Sequence, residues 1–117
     1  MEFVEAPAFS RHMHSYLDDE EYRELQRVLA ETPELGDVIE GTGGFRKVRW
    51  SDVRRGKGKR GGLRIIYFHF KTDEQVWLMT VYGKDQKDDL TPVEKKALKA
   101  AIGKEVAARR RRTSPKG

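Results

Sequence analysis

The sequence predicts a single α+β domain in which a small antiparallel sheet is flanked by N-terminal helices and a C-terminal helix. Three observations support this class: a helical spacing of apolar residues near the N-terminus, three consecutive segments of strand-like composition, and a helix-capping motif ahead of an apolar stripe. The chain has 117 residues. A chain of this length builds one ordinary hydrophobic core, so a second domain within it is not expected.

The N-terminal part of the sequence carries the signals of two helices. Asp18 and Asp19 precede four apolar residues that share one helical face, namely Tyr22, Leu25, Val28 and Leu29. Acidic residues in a first turn interact favourably with the helix dipole. The pattern therefore predicts a helix over about residues 18–31, and Ala8–Tyr16 is expected to form a shorter helix before it.

Three strands are predicted in the middle of the chain because aromatic and β-branched residues are concentrated there. They lie at Phe45–Trp50, Leu63–Lys71 and Gln75–Tyr82. The residues Lys71–Glu74 are predicted to form the turn between the last two strands. Phe3–Val4 can add an edge strand. The strands follow one another along the chain, which favours an antiparallel meander.

The last helix is predicted to begin at Thr91-Pro92-Val93-Glu94, a capping box with proline at the first helical position. An apolar stripe follows it, made of Val93, Ala97, Leu98, Ala101 and Ile102. We expect the folded domain to cover residues 1–103. Residues 104–117, which contain the run Arg109–Arg112, are expected to be a basic helix end and a flexible tail.

Charge is strongly segregated along the sequence, although the formal net charge is only +5. Residues 1–45 contain three basic and eleven acidic residues, whereas residues 46–64 contain nine basic residues and one acidic residue. We call residues 46–64 the basic block. A block of this density is typical of a surface that binds polyanions.

Several classes of function are disfavoured by what the sequence lacks. It contains no cysteine, which excludes disulfides and cysteine-ligated zinc and is typical of a reducing compartment. No apolar run approaches the ~20 residues of a membrane span, and Met1–Pro7 carries acidic residues where a secretory signal has basic ones. His12 and His14 have no third ligand close by. We therefore expect a cytoplasmic protein without a membrane partner, a metal or another cofactor.

The predicted hairpin collects basic side chains at one end of the sheet. Pairing around residues 72–74 sets Arg64 opposite Tyr82 or Lys84, and the loop 51–62 meets the sheet at the same end. The residues expected to converge there are Lys57, Lys59, Arg60, Arg64, Tyr82, Lys84 and Lys87. Since acidic residues are scarce nearby, the cluster is expected to bind an anionic partner.

Two details follow from this hairpin. Arg64 is expected to end its strand without filling the core, so its truncation should leave no cavity. Strict alternation of side chains also places Val76 and Leu78 on the face of the sheet that carries Arg64.

Four segments in order resemble the HigB-type branch of the RelE/ParE toxin superfamily. They are Gly41–Trp50, Gly56–Tyr67, Val81–Lys84 and Asp88–Thr91, and the resemblance extends over residues 3–103. It implies the toxin of a bacterial type II toxin–antitoxin module, with a compact sheet flanked by helices. It also implies a metal-independent, ribosome-dependent endoribonuclease (an mRNA interferase) that cleaves translated mRNA.

The resemblance assigns roles to individual residues. Arg64 looks like the arginine that holds the scissile phosphate, and Lys57 and Lys59 resemble lysines that contact mRNA or act as the base. Lys84 occupies the position of a basic residue at the end of the last strand. We assign these four residues to catalysis. The remaining basic cluster is expected to contact RNA, through Arg46, Lys47, Arg49, Arg54, Arg55, Arg60, Tyr82 and Lys87.

One feature departs from that pattern. Several members of the superfamily have a tyrosine or histidine near the end of the last strand as an acid or base, whereas here no tyrosine follows Tyr82 and no histidine follows His69. Lys87 is a possible substitute, and the general acid is left unassigned.

The implied partners are the ribosome with its mRNA and a cognate helix-turn-helix antitoxin similar to HigA, with DNA bound only through that antitoxin. RNA supplies its own nucleophile, the 2′-OH, so the protein has to orient it, move protons and stabilise charge on the phosphate. Two alternatives stay open. A ParE-like toxin would inhibit DNA gyrase without cutting RNA, and a non-catalytic module would only bind RNA.

Overall fold

A computed structural model of the protein describes residues 1–60, 62–87 and 89–113 and confirms the α+β class. The helices and strands are, in chain order, β1 (Glu2–Glu5), α1 (Pro7–Tyr16), α2 (Asp19–Glu31), β2 (Asp37–Val38), β3 (Arg46–Trp50), β4 (Leu63–Phe70), β5 (Gln75–Gly83) and α3 (Pro92–Thr113). A short 3-10 helix, Val53–Arg55, interrupts the loop between β3 and β4. Within these ranges, no helix has both the length and the apolar character needed to cross a membrane.

The sheet has five strands in the order β1-β5-β4-β3-β2, and it is mixed rather than antiparallel throughout. The three predicted strands form its antiparallel centre, with β4 between β3 and β5. β1 pairs with β5 in parallel, and the connection between them, which contains α1, α2 and the three other strands, is long enough for such a pairing. The two-residue strand β2 was not predicted, since it is too short to show an alternating pattern.

The core consists of two apolar layers, one on each face of the sheet. α1 and α2 cover the first face, where Phe9, Leu25 and Leu29 are fully buried. α3 covers the second face, where Ile102 packs in one cluster with Ile66. The N-cap of α2 is Asp18, whose carboxylate accepts a 2.8 Å hydrogen bond from the amide of Glu21, as expected for a helix that begins there.

A β-bulge in the β4–β5 hairpin changes which side chains share a face. Arg64 pairs with Tyr82 as predicted, but the register shifts after Ile66, so that Tyr67 pairs with Leu78. Beyond this point the strict alternation assumed from the sequence is wrong. Val76 and Leu78 pack in the layer under α1 and α2, on the face opposite Ile66.

α3 begins with the predicted capping box. The amide of Thr91 donates to the Glu94 carboxylate at 2.8 Å, and the amide of Glu94 donates to the Thr91 hydroxyl at 3.2 Å. The predicted apolar stripe behind it is only half right. Leu98 and Ile102 pack against the sheet, whereas Val93 is 76% exposed and the neighbouring alanines Ala97 and Ala101 also face outward. The larger side chains determine the buried face because they remove more apolar area from water.

Arg109 anchors the last turns of α3 to the hairpin. Its guanidinium lies 3.6 Å from the centroid of the Phe70 ring and donates to Asp73 at 2.5 Å and Glu105 at 2.8 Å. Gln75 accepts a further hydrogen bond from it. The helix therefore continues as a packed element past residue 103, where we expected the domain to end. The expected flexible tail after Thr113 lies outside the described residues.

Replacement of Arg109 should destabilise the fold. In Arg109→Ala the ring contact and two ion pairs are lost, and we expect the free energy of unfolding to fall by about 1–2 kcal/mol. Arg111→Ala is the matched control, because Arg111 is exposed on the same helix. It should change stability by less than about 0.5 kcal/mol. Urea unfolding followed by circular dichroism measures both, and equal stabilities of the two variants would contradict the anchor.

Candidate nucleic-acid interface

The end of the sheet where β4 begins and β5 ends is held together by main-chain hydrogen bonds. The amide of Lys84 donates to the carbonyl of Gly62 at 3.0 Å, which extends the β4–β5 pairing by one step. In the loop between β3 and β4, Asp52 and Lys57 exchange two main-chain hydrogen bonds, of 2.8 and 2.9 Å. The basic loop is therefore closed at its base and presented at a fixed position.

Arg64 holds this loop from the inside. It is only 4% exposed. Its Nη1 donates to the carbonyls of Lys59 and Leu63, both at 3.1 Å, and its Nη2 donates to the carbonyl of Arg60 at 2.7 Å. The expectation that its truncation leaves the interior unaffected is wrong, because removal of the guanidinium would leave three carbonyls without these donors.

The positive charge of Arg64 is not compensated by an ion pair within the described residues. Among residues 1–60, 62–87 and 89–113, no carboxylate forms an ion pair with it. Its recorded partners are neutral carbonyl dipoles. Buried charges are normally paired with an opposite charge. This sheet end therefore carries a buried positive charge that the described residues do not neutralise.

Lys57 and Lys84 come together at the surface above this end, as the sequence predicted. They line an open depression with Gly58 and Asp85. Lys57 Nζ lies 2.9 Å from Asp85 Oδ2, and this hydrogen bond lowers the pKa of the Asp85 carboxyl below its ordinary value. Asp85 is thus a carboxylate at neutral pH, paired with the ammonium of Lys57.

Lys59 lines a different depression from Lys57, although the two lysines are two residues apart in one loop. It contributes to a groove of about 560 Å³ between the β2 segment, β3 and the start of α3. The charged residues that line this groove are Asp37, Glu40, Lys47, Arg49, Lys59, Asp89 and Lys95. Lys47 Nζ lies 3.6 Å from Asp89. The contribution of Lys95 to this groove was not predicted, because the sequence does not show which face of α3 is turned towards the sheet.

Besides Arg64, three arginines of the basic block bind groups of the protein itself, and Arg55 among them donates to the carbonyl of Ser15 at 3.4 Å. Arg46 donates to the carbonyl of Gly36 at 2.8 Å, and Arg54 donates to the carbonyl of His14 at 2.6 Å. Arg55 pairs with the buried Asp52 at 3.2 Å. Its guanidinium also lies 4.8 Å from the centroid of the Tyr16 ring. The loop is thus tied to the C-terminal end of α1, where cations are favourable.

The remaining predicted residues lie at the same end of the sheet. The ammonium of Lys87 pairs with Glu94 and lies 5.7 Å from the centroid of the Tyr82 ring. The hydrogen bond from Lys87 lowers the pKa of the Glu94 carboxyl. The side chain of Arg60 is exposed in the loop. In the part of the chain that the structure describes, no group of three or more His, Cys, Asp or Glu residues is arranged to hold a metal ion.

The arrangement as a whole provides positive charge fixed in space. Arg64 lies inside the loop, and Lys57 and Lys84 lie at the surface of the same sheet end. Such groups can hold a phosphate and stabilise negative charge that develops on it. A comparison with known protein families finds none whose model matches the chain. The chemistry of the site must therefore be inferred from its own residues.

Arg64→Ala should destabilise the fold even though Arg64 is charged. The loss of three donors to buried or half-buried carbonyls is expected to lower the free energy of unfolding by about 2–4 kcal/mol. Arg60→Ala removes an exposed guanidinium from the same loop and should change stability by less than about 0.5 kcal/mol. Thermal unfolding of the two variants checks this. If Arg64→Ala unfolds like the wild type, Arg64 does not hold the loop.

Proposed function

We propose that the protein is the toxin of a type II toxin–antitoxin module and a ribosome-dependent endoribonuclease that cleaves translated mRNA in the cytoplasm. The sequence resemblance suggests this class, and one structural observation carries the proposal. The buried guanidinium of Arg64 has no carboxylate partner among the described residues, and the two lysines Lys57 and Lys84 lie at the same sheet end. An uncompensated cation beside two surface cations suits a phosphodiester.

The reaction needs no nucleophile from the protein. The 2′-oxygen of the RNA attacks the adjacent phosphorus, and the bond from phosphorus to the 5′-oxygen of the next nucleotide breaks. The products are a 2′,3′-cyclic phosphate, which can open to a 3′-phosphate, and a 5′-OH. The protein has to align the reacting groups, remove the 2′-OH proton, stabilise the pentavalent phosphorane and protonate the leaving oxygen.

Lys57 and Lys84 are the groups we place against the scissile phosphate. Positive charges at this position stabilise the transition state more than the ground state, because negative charge grows on the phosphoryl oxygens. The ion pair with Asp85 favours Lys57 as a charge stabiliser and proton donor over the role of base that the resemblance suggested. Release of Asp85 would free Lys57 for the phosphate.

Arg64 acts in this scheme as a positioning residue. Its hydrogen bonds to the carbonyls of Lys59 and Arg60 fix the segment that follows Lys57, and its charge adds to the potential at the site. A direct contact with the phosphate, as the resemblance implies, would require some of these carbonyls to give up their donor. Lys59 lies in the neighbouring groove, so we place it against the RNA strand with Lys47 and Arg49.

The partners in this proposal are the ribosome, its mRNA and a helix-turn-helix antitoxin, through which alone the toxin would reach DNA. The acidic side chains of Asp19, Glu20, Glu24 and Glu31 are exposed on α2, which covers the face of the sheet opposite α3. Repulsion by RNA phosphates turns that face away from the ribosome. The sheet end with Lys57 and Lys84 then faces the decoding site.

Expression from an inducible promoter, with sequencing of RNA 5′ ends, tests the activity. New ends in phase with codons are expected for the wild type, and the double variant Lys57→Ala/Lys84→Ala should reduce them about 10²- to 10³-fold, as when a transition-state donor is removed. The matched control is Lys71→Ala, an exposed lysine in the turn at the opposite end of the sheet. It should cleave like the wild type.

The same experiment separates the alternatives. Intact mRNA together with DNA damage would favour gyrase inhibition, and growth without any effect would favour a passive RNA-binding module. Either result overturns the nuclease. Undiminished cleavage by the double variant would remove these two lysines from the site.

Affinity for ribosomes should depend steeply on salt. Contacts between the basic residues and RNA phosphates release counterions, so we expect the Kd to rise at least about tenfold between roughly 50 and 200 mM salt. Sedimentation of the toxin with ribosomes, in the presence of a non-cleavable mRNA, measures this. A Kd that stays constant over the range would contradict the electrostatic assignment.

A further inference from the structure

A further cleft lies beside Lys57, Lys84 and Asp85, which we call the lysine cluster, and its residues come from three parts of the chain. It has a volume of about 260 Å³ and lies beside β5, with α1 on one side and the start of α3 on the other. The side chains that matter for its chemistry are His12, Tyr16, Tyr82, Gln86, Lys87 and Glu94. Apart from Tyr16, these residues are far from His12 in the chain, so no local pattern of the sequence places His12 here.

The cleft and the lysine cluster meet at Gly83. A Cβ atom on this residue would come within 2.7 Å of Asp85 Oδ1 and 3.6 Å of the Tyr16 ring. Asp85 belongs to the cluster through its ion pair with Lys57, and Tyr16 lines the cleft. A phosphate at Lys57 would therefore have its neighbouring ribose next to the cleft.

The wall of the cleft along β5 is already packed. β1 pairs with β5 only as far as Leu78, and α1 lies against β5 after β1 ends. Val81, which lines the cleft, is only 2% exposed. The groups of the cleft that can meet a nucleotide are therefore its polar side chains.

The groups of the cleft differ in their ability to accept a proton. Glu94 in the cleft, and Asp85 next to it in the lysine cluster, are carboxylates whose pKa values are lowered by hydrogen bonds from lysines, which makes them weak bases. The Tyr16 hydroxyl donates to Gln86 Oε1 at 2.7 Å, and the ammonium of Lys87 is paired with Glu94. His12 carries an imidazole, the side chain best suited to accept a proton near neutral pH.

We propose that His12 is a catalytic residue that accepts the 2′-OH proton of the RNA bound between this cleft and Lys57. The inference rests on the proposed function. As the 2′-oxygen bonds to phosphorus, its proton passes to the neutral imidazole. As the bond to the 5′-oxygen breaks, that oxygen takes a proton from the ammonium of Lys57. The imidazolium then loses its proton to solvent and the lysine regains one.

The chain offers a matched control for this proposal. His12 and His14 are both exposed on α1, but only His12 lines the cleft. Single-turnover cleavage of ribosome-bound mRNA is measured for the wild type, His12→Ala and His14→Ala, together with their melting temperatures. We expect His12→Ala to cleave about 10²- to 10⁴-fold more slowly, as is typical when a general base is lost, and His14→Ala to match the wild type.

The pH dependence of the rate separates a catalytic role from a structural one. The charged groups that line the cleft with His12 are Lys87 and Glu94, and Asp85 with its partner Lys57 lies beyond Gly83. The wild-type rate should fall as the pH is lowered, because a protonated His12 cannot act as the base. His12→Ala should lack this acid limb, and added imidazole should raise its rate.

Two results would overturn the proposal while the nuclease stands. One is a rate for His12→Ala equal to that of His14→Ala, and the other is a slow His12→Ala variant that keeps the wild-type acid limb. A wild-type protein that cleaves no mRNA would instead overturn the proposed function itself.

Discussion

This end of the molecule depends on the hydrogen bonds that the buried guanidinium of Arg64 donates to the loop between β3 and β4. Without this guanidinium, three carbonyls would lack these donors, and the part of the loop from Lys59 to Arg60 would lose its side-chain bonds to β4. Arg64 can reach these carbonyls because the β4–β5 register puts it at the last paired positions of the sheet, opposite Tyr82. A residue that looks like a ligand-binding group in the sequence is thus first a structural one.

The basic block divides its charge between two tasks. Arg46, Arg54 and Arg55 satisfy carbonyls or a buried carboxylate of the protein itself, which fixes the loops around the site. The lysines extend to the surface, where Lys57 meets Asp85 and Lys47 meets Asp89. This division follows from side-chain chemistry, because a guanidinium donates several bonds in a fixed plane and a flexible ammonium can exchange partners.

The sequence was sufficient to predict what depends on local pattern. Periodicity and turn residues predict the helix at residues 18–31, the three central strands and the Arg64–Tyr82 pair. The pairing of these strands brings Lys57 and Lys84 together. The sequence was not sufficient to predict features that depend on packing. The β-bulge moves Val76 to the other face of the sheet. This bulge could not be predicted, because a single extra residue leaves no compositional trace. The sequence also could not show that Arg109 would lie on an aromatic ring, because that contact joins elements far apart in the chain.

The position of His12 shows how a distant pairing determines local chemistry. β1 enters the sheet in parallel beside β5, so α1 leaves it alongside β5 and continues towards the end of that strand. β1 stops at Glu5 and α1 begins at Pro7, so the helix that carries His12 lies against β5 and lines the cleft. The brevity of the first strand is therefore what places the imidazole of His12 beside the strand that Lys84 follows.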